Sequence, residues 1–386
     1  MSVTAIVNAQ LVLESGILFD GAMVIEDGRI IAFGKERELE IPQGAKRVDA
    51  QGAYVGPGFI DIHVHGSDRH STCFEPELAG QYFLRHGTTS FLATPDYSQD
   101  FETIMKALGI IQAARGNVPN MKGIYMEGPY MNPEYGSHAW LNPWRDAPDE
   151  AQYKAMADAC GDYIKIWAIA PERTGLKPFL EYARKVNPDV LFAIGHSDAT
   201  PDQIRALGAK YRPAVHTHLY DATGRAEVPG GTPPYGPNEY CLNNPEVYAE
   251  LISDSCGIHV HTEVQQSILG CKGIHRVILI TDSTTADSEA PEHLKHVTDL
   301  NFDPHGGIAG SRLTMDKACR NIMQHTNCGI AQAFIMASTN AARLLGMDDD
   351  IGSIALGKIA DLVFVDDRFN VKNVMLSGEV CNFEEE

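Results

Sequence analysis

The chain has 386 residues, 44% of them hydrophobic and 21% charged, with a formal charge of −20. This is the composition of an ordinary globular protein with one large domain, or one large and one small. The acidic balance argues against nucleic acid and anionic membranes as partners, and an anionic substrate would need a local basic pocket set against that field.

No run approaches the ~18 apolar residues of a membrane span. Met1–Val7 lacks the basic start and apolar core of a signal peptide. Eight cysteines (73, 160, 241, 256, 271, 319, 328 and 381) are dispersed, with no C-x-x-C pair. They read as reduced thiols of a cytoplasmic protein.

In chain order, residues 3 to about 52 are β-rich, with short strands expected at Thr4–Val7, Gln10–Glu14 and Ala22–Glu26. Asp27-Gly28 is a hairpin turn leading into a return strand at Arg29–Phe33. From residue 53 the pattern becomes strand and helix in alternation. Eight apolar strand candidates follow: Phe59–His65, Thr89–Thr94, Gly123–Glu127, Ile164–Ala170, Val190–Gly195, Ala214–Leu219, Ala249–Ser253 and Val277–Thr281. Phe101, Ile104, Met105, Leu108 and Ile111 form a stripe at helical spacing, as do Phe179, Tyr182 and Val186.

Continuous apolar strands alternating with amphipathic helices predict a parallel (β/α)8 TIM-like barrel. The tail at 352–365 returns to strand and turn chemistry. The expected architecture is a barrel over 53–353 with a small discontinuous β-sandwich formed by 1–52 and 354–386. The Met315 helix reads as core packing, and Asp348–Asp350 as a solvated turn.

In such barrels chemistry sits at the C-terminal ends of the strands. The first candidate carries His63 and His65, which alternation places on one face with Cβ atoms roughly 7 Å apart. The third ends in Glu127 and the fifth is followed by His196. The sixth carries His216 and His218, and Asp282 follows the eighth. Imidazoles and carboxylates gathered at one rim suit Zn²⁺, Fe²⁺ or Mn²⁺. A metal there would bring the pKa of a bound water towards ~7 and polarise a carbonyl, with Asp282 as general base and later general acid. That is the chemistry of a hydrolase.

These residues resemble the amidohydrolase superfamily and, within it, the N-acetylglucosamine-6-phosphate deacetylases. The resemblance rests on Pro57–Gly66, Glu127-Gly128-Pro129-Tyr130, Ala170-Pro171-Glu172 and Gly195–Thr200. It continues through Thr217-His218-Leu219-Tyr220, His259-Val260-His261, Thr281-Asp282, Ala309–Met315 and the Gly-Lys-x-Ala-Asp-Leu-Val of 357–363. It implies that Glu127, His196 and His218 bind a principal divalent ion and that His63 and His65 support a second, so that one or two ions are used. It further implies Asp282 as the catalytic aspartate, His138 and His259 as substrate contacts, a homodimer, and release of acetate from an N-acetylated amino sugar, N-acetylglucosamine 6-phosphate first among them. No family role falls on His216, which reads as a structural histidine.

The chain departs from the family where the phosphate is held. The usual Asn-Ala-Met reads Asp221-Ala222-Thr223, and the compact Arg-Glu-Pro-Gly has as its nearest match Arg225, followed by insertions. The loop at 67–72 is more polar than usual, and reads as solvated or as presenting Arg69 or His70 to substrate. An unphosphorylated N-acetyl sugar, an N-acyl amino acid or a cyclic amide stands as the alternative substrate. An inactive barrel that only binds is the non-enzymatic alternative.

Overall fold

The computed structural model describes residues 3–67, 69–224, 235–285 and 288–383. Its centre is a barrel of eight parallel strands: β1 (Phe59–Val64), β2 (Thr88–Ala93), β3 (Met121–Met126), β4 (Ile164–Ile169), β5 (Leu191–Ile194), β6 (Val215–His216), β7 (Tyr248–Ile252) and β8 (Val277–Ile280). Each pairs with its neighbours in chain order from β1 to β8. All eight expected strands are present, displaced by a few residues at their ends. They read as unbroken apolar runs because helices cover the barrel outside and side chains fill it inside. Helices Phe101–Ala114 and Leu176–Val186 turn the predicted stripes to the core, with Ile104, Leu108, Ile111 and Phe179 fully enclosed and Phe101, Met105, Tyr182 and Val186 partly buried against it.

The seam between β1 and β8 is held by one side chain and by the backbone just beyond it. The Asp61 carboxylate accepts the Thr281 N–H at 3.3 Å and the Thr281 hydroxyl at 2.5 Å. Beyond it, the Asp282 N–H donates to the His63 carbonyl at 3.0 Å, and the His65 and Gly66 N–H groups share the Ser283 carbonyl. Burial raises Asp61 to about 7 despite those hydrogen bonds. The first and last strand ends, which carry His63, His65 and Asp282, are thereby tied together.

Both ends of the chain contribute to a second, eight-stranded sheet. Where two short strands were expected near the start, one strand runs from Val3 to Leu13, with register shifts between Ile6 and Ala9 and between Ala9 and Leu11. These irregularities let its first half pair with Lys46–Asp49 and its second half with Tyr54–Pro57. The C-terminal strand Leu362–Val365 pairs with Tyr54–Pro57. Ile6, Met23 and Ile25 share one buried cluster with Leu362, Phe364 and Met375.

The two sheets meet through Phe334, whose ring centroid lies 5.6 Å from Phe59 at the start of β1 and 5.3 Å from Phe369 of the tail. A Cβ on Gly56 would stand 2.4 Å from that ring, so the approach requires glycine there. The Met315–Thr326 helix buries Met315, Ala318, Cys319 and Ile322 as core. The Asp348–Asp350 turn gives an exposed pair between Asp350 and Arg29. All eight cysteines are free thiols. Among the described residues no helix is long and apolar enough to cross a membrane.

His216, on β6, is fully buried, with Nδ1 2.8 Å from the Thr217 carbonyl. Burial pushes its pKa down to about 3, so the folded protein keeps it neutral.

Two outcomes follow from these contacts. Phe334→Ala empties the junction between the sheets and lowers the unfolding free energy by about 3–5 kcal/mol, read from urea denaturation. The unfolded chain protonates His216 near 6.5 and the folded chain only near 3, so this residue's contribution is present above pH 6.5 and is lost as the pH falls towards 3. His216→Asn should flatten the fall in stability across that window, measured as denaturation midpoint against pH.

Candidate active site

The C-terminal rim of the barrel gathers six of the predicted residues. Glu127, just past β3, is the hub. Its Oε1 lies 3.0 Å from His196 Nε2, 3.2 Å from His218 Nε2 and 3.8 Å from His63 Nε2, and its Oε2 lies 3.3 Å from His65 Nε2. Asp282 Oδ1 stands 3.3 Å from His65 Nε2 and 3.6 Å from His63 Nε2. His196, His218 and Asp282 have positive φ (40°, 25° and 48°), a conformation non-glycine residues hold only when surrounding structure imposes it. The chain turns sharply at these strand ends and aims the side chains inward.

Each ring is fixed from behind. His196 Nδ1 meets the Tyr135 carbonyl at 3.2 Å, His218 Nδ1 the Asp221 carbonyl at 3.2 Å, and His65 Nδ1 the Thr94 carbonyl at 3.0 Å. His63 Nδ1 meets the Glu250 carboxylate at 3.1 Å. A carbonyl or carboxylate at Nδ1 requires the proton there, which leaves the Nε2 lone pair facing the centre.

That arrangement fits a divalent cation. Glu127 Oε1, His196 Nε2 and His218 Nε2 form a triangle with edges of 3.0, 3.2 and 3.3 Å. Tetrahedral ligands ~2.0–2.1 Å from zinc are about 3.3–3.4 Å apart. The two histidine nitrogens face each other, both backed by acceptors, so as neutral rings neither has a proton to offer the other and both have a lone pair to offer a cation. His63 Nε2 is fully buried and has no hydrogen-bond partner. His63, Glu127 and His218 form one group spaced for a metal, and His63, His65 and Asp282 another.

The electrostatics point the same way. Burial would raise Glu127, but hydrogen bonds from His196, His218 and His65 hold it well below the usual carboxylate range. Burial would lower His218, yet Glu127, Asp221 and Asp282 push it up to about 10. Buried carboxylates here draw positive charge, which a metal ion can supply while the imidazoles stay neutral.

A cleft of about 490 Å³ opens onto the cluster. His138, Asp221 and Ala222 line it, together with Tyr97, Ser137, Thr284, Thr285 and Asn301. Its wall after β8 is the hairpin Leu300–Phe302 and Ile308–Ser311. Gly310 there has φ +66°, and a Cβ on it would stand 2.7 Å from the Asp282 carbonyl. His259 is buried outside the cleft lining. Its Nδ1 lies 3.3 Å from Asp254, and Nε2 has no partner. Burial would lower its pKa, but Asp254 and the fields of Asp221 and Asp282 raise it. Arg225 lies outside the described residues. Arg69 and His70 line a separate surface pocket, where His70 pairs with Glu75.

Sequence reasoning missed several residues. Glu250 was legible as the one charged residue in the apolar run of β7. Asp96, two residues beyond the second strand candidate, lies with His65 and Glu127 in a third metal-spaced group. Tyr97, whose ring packs edge-on against His196 with centroids 4.7 Å apart, carried no pattern of its own. Glu172 accepts Ser197 Oγ at 2.7 Å and the Asp198 N–H at 3.1 Å, bracing the turn that presents His196.

Comparison with known proteins agrees with the geometry. The Amidohydrolase family model matches residues 258–381. An N-acetylglucosamine-6-phosphate deacetylase of Lysinibacillus sphaericus is 30% identical over 378 residues, covering 92% of each chain. An N-acetylgalactosamine-6-phosphate deacetylase of Escherichia coli O157:H7 is 30% identical over 391 residues, covering 97% and 98%. Among solved structures, a mutant N-acetyl-D-glucosamine-6-phosphate deacetylase of Mycobacterium smegmatis in complex with N-acetyl-D-glucosamine-6-phosphate superposes with a TM-score of 0.83 at 26% identity, over 98% of this chain and 99% of that one. With the strand-end cluster, these likenesses place the chain in the amidohydrolase superfamily, and within it in the N-acetylglucosamine-6-phosphate deacetylase family.

Proposed function

We propose that the protein is a metal-dependent deacetylase that hydrolyses the acetamide of an N-acetylated amino sugar, with N-acetylglucosamine 6-phosphate as its substrate, to acetate and the free amine. The observation that carries this reading is the convergence of four imidazole Nε2 atoms on Glu127 and Asp282 at the floor of one cleft. Glu127, His196 and His218 would hold the principal ion, and His63 and His65 a second. When bound, a divalent ion lowers the pKa of a coordinated water towards ~7 and polarises a carbonyl.

Asp282 does the proton work. Burial would raise its pKa, but His65, His63 and His218 hold it down, so it enters the reaction as a carboxylate able to accept a proton. It takes the proton of the attacking water and returns it to the nitrogen as the carbon–nitrogen bond breaks. His138 in the cleft wall would orient the sugar, and His259, held through Asp254 and buried behind the described lining, would contact it only where the bound sugar reaches past that lining. Residues 1–52 and 354–386 form the supporting small domain in this reading, and the enzyme works in the cytoplasm as a homodimer.

One observation favours a second reading of the sugar's far end. The described residues that line the cleft include Asp96, Glu127, Asp221 and Asp282 but no lysine or arginine. A phosphate ~4 Å from the Asp221 carboxylate would meet about 4 kcal/mol of repulsion per unit charge at an effective dielectric of ~20. That burden falls on Arg225 or on a second subunit, and without either the cleft suits an unphosphorylated N-acetyl sugar.

Acetate release separates these readings. Metal-replete enzyme should turn over N-acetylglucosamine 6-phosphate with kcat/KM about a hundredfold above the unphosphorylated sugar; equal or reversed preference assigns the enzyme to the neutral sugar, and no turnover of either, with metal bound, removes the amino-sugar reading. Asp282→Asn should lower kcat by about 10²–10⁴-fold with KM little changed, the signature of a lost general base. Asp221→Asn should raise the preference for the phosphorylated sugar about tenfold or more, if the phosphate lies beside it.

A further inference from the structure

Glu250 has no place in the mechanism above, yet it is fully buried inside the barrel wall on β7. One of its oxygens, Oε2, serves two donors. His63 Nδ1 lies 3.1 Å from it, and the backbone N–H of His218 donates to the same atom at 3.1 Å. The other oxygen, Oε1, is buried without a partner. The His63 ring is further pinned by Tyr125, with ring centroids 4.6 Å apart, and Tyr125 donates to or accepts from Thr217 Oγ1 at 2.7 Å.

His63 and His218 both approach Glu127 Oε1, but their other neighbours differ. His218 shares the tight triangle with Glu127 and His196, whereas His63 faces Asp282 and His65. A single carboxylate oxygen therefore fixes the ring of one ligand and the backbone of another. A buried carboxylate with two donors and one bare oxygen is also costly unless positive charge stands nearby. A cation at His63 Nε2, the other nitrogen of the ring that Glu250 holds, would supply that charge, and this atom is buried without a hydrogen bond.

We propose that Glu250 is a positioning residue that couples the two metal positions: through His63 it makes the His63–His65 position able to hold an ion, and through the His218 backbone it holds the principal position in register with it. The proposal rests on reading the cluster as a metal centre, and on nothing about the sugar. Glutamine at 250 loses the charge and carries an acceptor on only one side of its amide, so its NH2 group can meet His63 Nδ1 while the oxygen serves the His218 N–H; His63 is then released to the other tautomer, whose Nε2 carries a proton and cannot ligate.

The test is metal stoichiometry and affinity, measured on full-length protein dialysed against graded free Zn²⁺ and Mn²⁺ and read by elemental analysis, with no substrate present. Wild type should bind two ions per chain. Glu250→Gln should weaken the second by about 10–100-fold and the first by a smaller factor, whereas His63→Ala should abolish the second and leave the first unchanged. The double variant should lose no more of the second ion than His63→Ala alone.

Glu250→Asp, which keeps the charge but shortens the reach, should fall between wild type and Glu250→Gln; it also provides the comparison if the glutamine variant fails to fold. ¹⁵N spectra of histidine-labelled wild type, which need no variant, should show His63 protonated at Nδ1. Two ions bound with unchanged affinity in Glu250→Gln or Glu250→Asp, or His63 protonated at Nε2 in wild type, would overturn the coupling. Wild type that binds no metal at all would instead remove the metal centre itself.

Discussion

The site depends on one constraint: a carboxylate, Glu127, buried among four imidazoles with little solvent to share its charge. Burial of an isolated carboxylate is prohibitive, and the histidines that stabilise it can do so as protonated donors or as neutral partners of a common cation. The backbone fits both, and it prepares the second by fixing which nitrogen of each neutral ring carries the proton. Three of the rings have their Nδ1 against a main-chain carbonyl and the fourth against Glu250, so the protons are drawn outward and the lone pairs inward. A site built in this way is prepared for a metal ion before one arrives, and the strained φ at His196, His218 and Asp282 is part of that preparation.

The rest of the barrel serves to keep those strand ends at fixed separations. The Asp61–Thr281 contacts lock the first and last strands together, which sets His63 and His65 against Asp282. Glu172 braces the turn that carries His196, and the hairpin around Gly310 closes the wall beside Asp282. The terminal sheet stands behind β1 through Phe59, Phe334 and Phe369, away from the reacting groups. Chemistry and stability are thus divided between the two ends of β1: its apolar start anchors the sheets to one another, and its polar end carries ligands.

The cleft above the cluster is unusually acidic for a site that would take a phosphorylated sugar. Asp96 and Asp221 add to Glu127 and Asp282, and a metal centre offsets only part of that charge. Two effects oppose each other here. Likeness to sugar-phosphate deacetylases over more than nine-tenths of the chain favours the phosphate, and the local field disfavours it. Both bear on the distal end of the substrate. In the proposed reaction the amide end faces Asp282 and the imidazole cluster, so that proposal does not depend on how the contest resolves.

Much of this was legible in the sequence because strands buried on both faces must be continuously apolar. Any His, Glu or Asp at the end of such a run therefore stands out, which is how His63, His65, Glu127, His196, His218 and Asp282 declare themselves. Alternation likewise separates His63 from its buried neighbours in β1. Three-dimensional closure decided the rest. Glu250 lies within a strand, and nothing local says that its carboxylate meets a histidine 187 positions away. Asp61 reads as part of a motif, but only the closed barrel brings it to Thr281, 220 positions on. Two short N-terminal strands became one because partner strands on either side of a bulge, not local propensity, set the length of a strand. The sequence by itself determined the order of elements and the chemical character of each strand end. The tertiary structure alone decided which ends meet, because pairing across hundreds of residues is fixed by packing and charge compensation rather than by any local pattern.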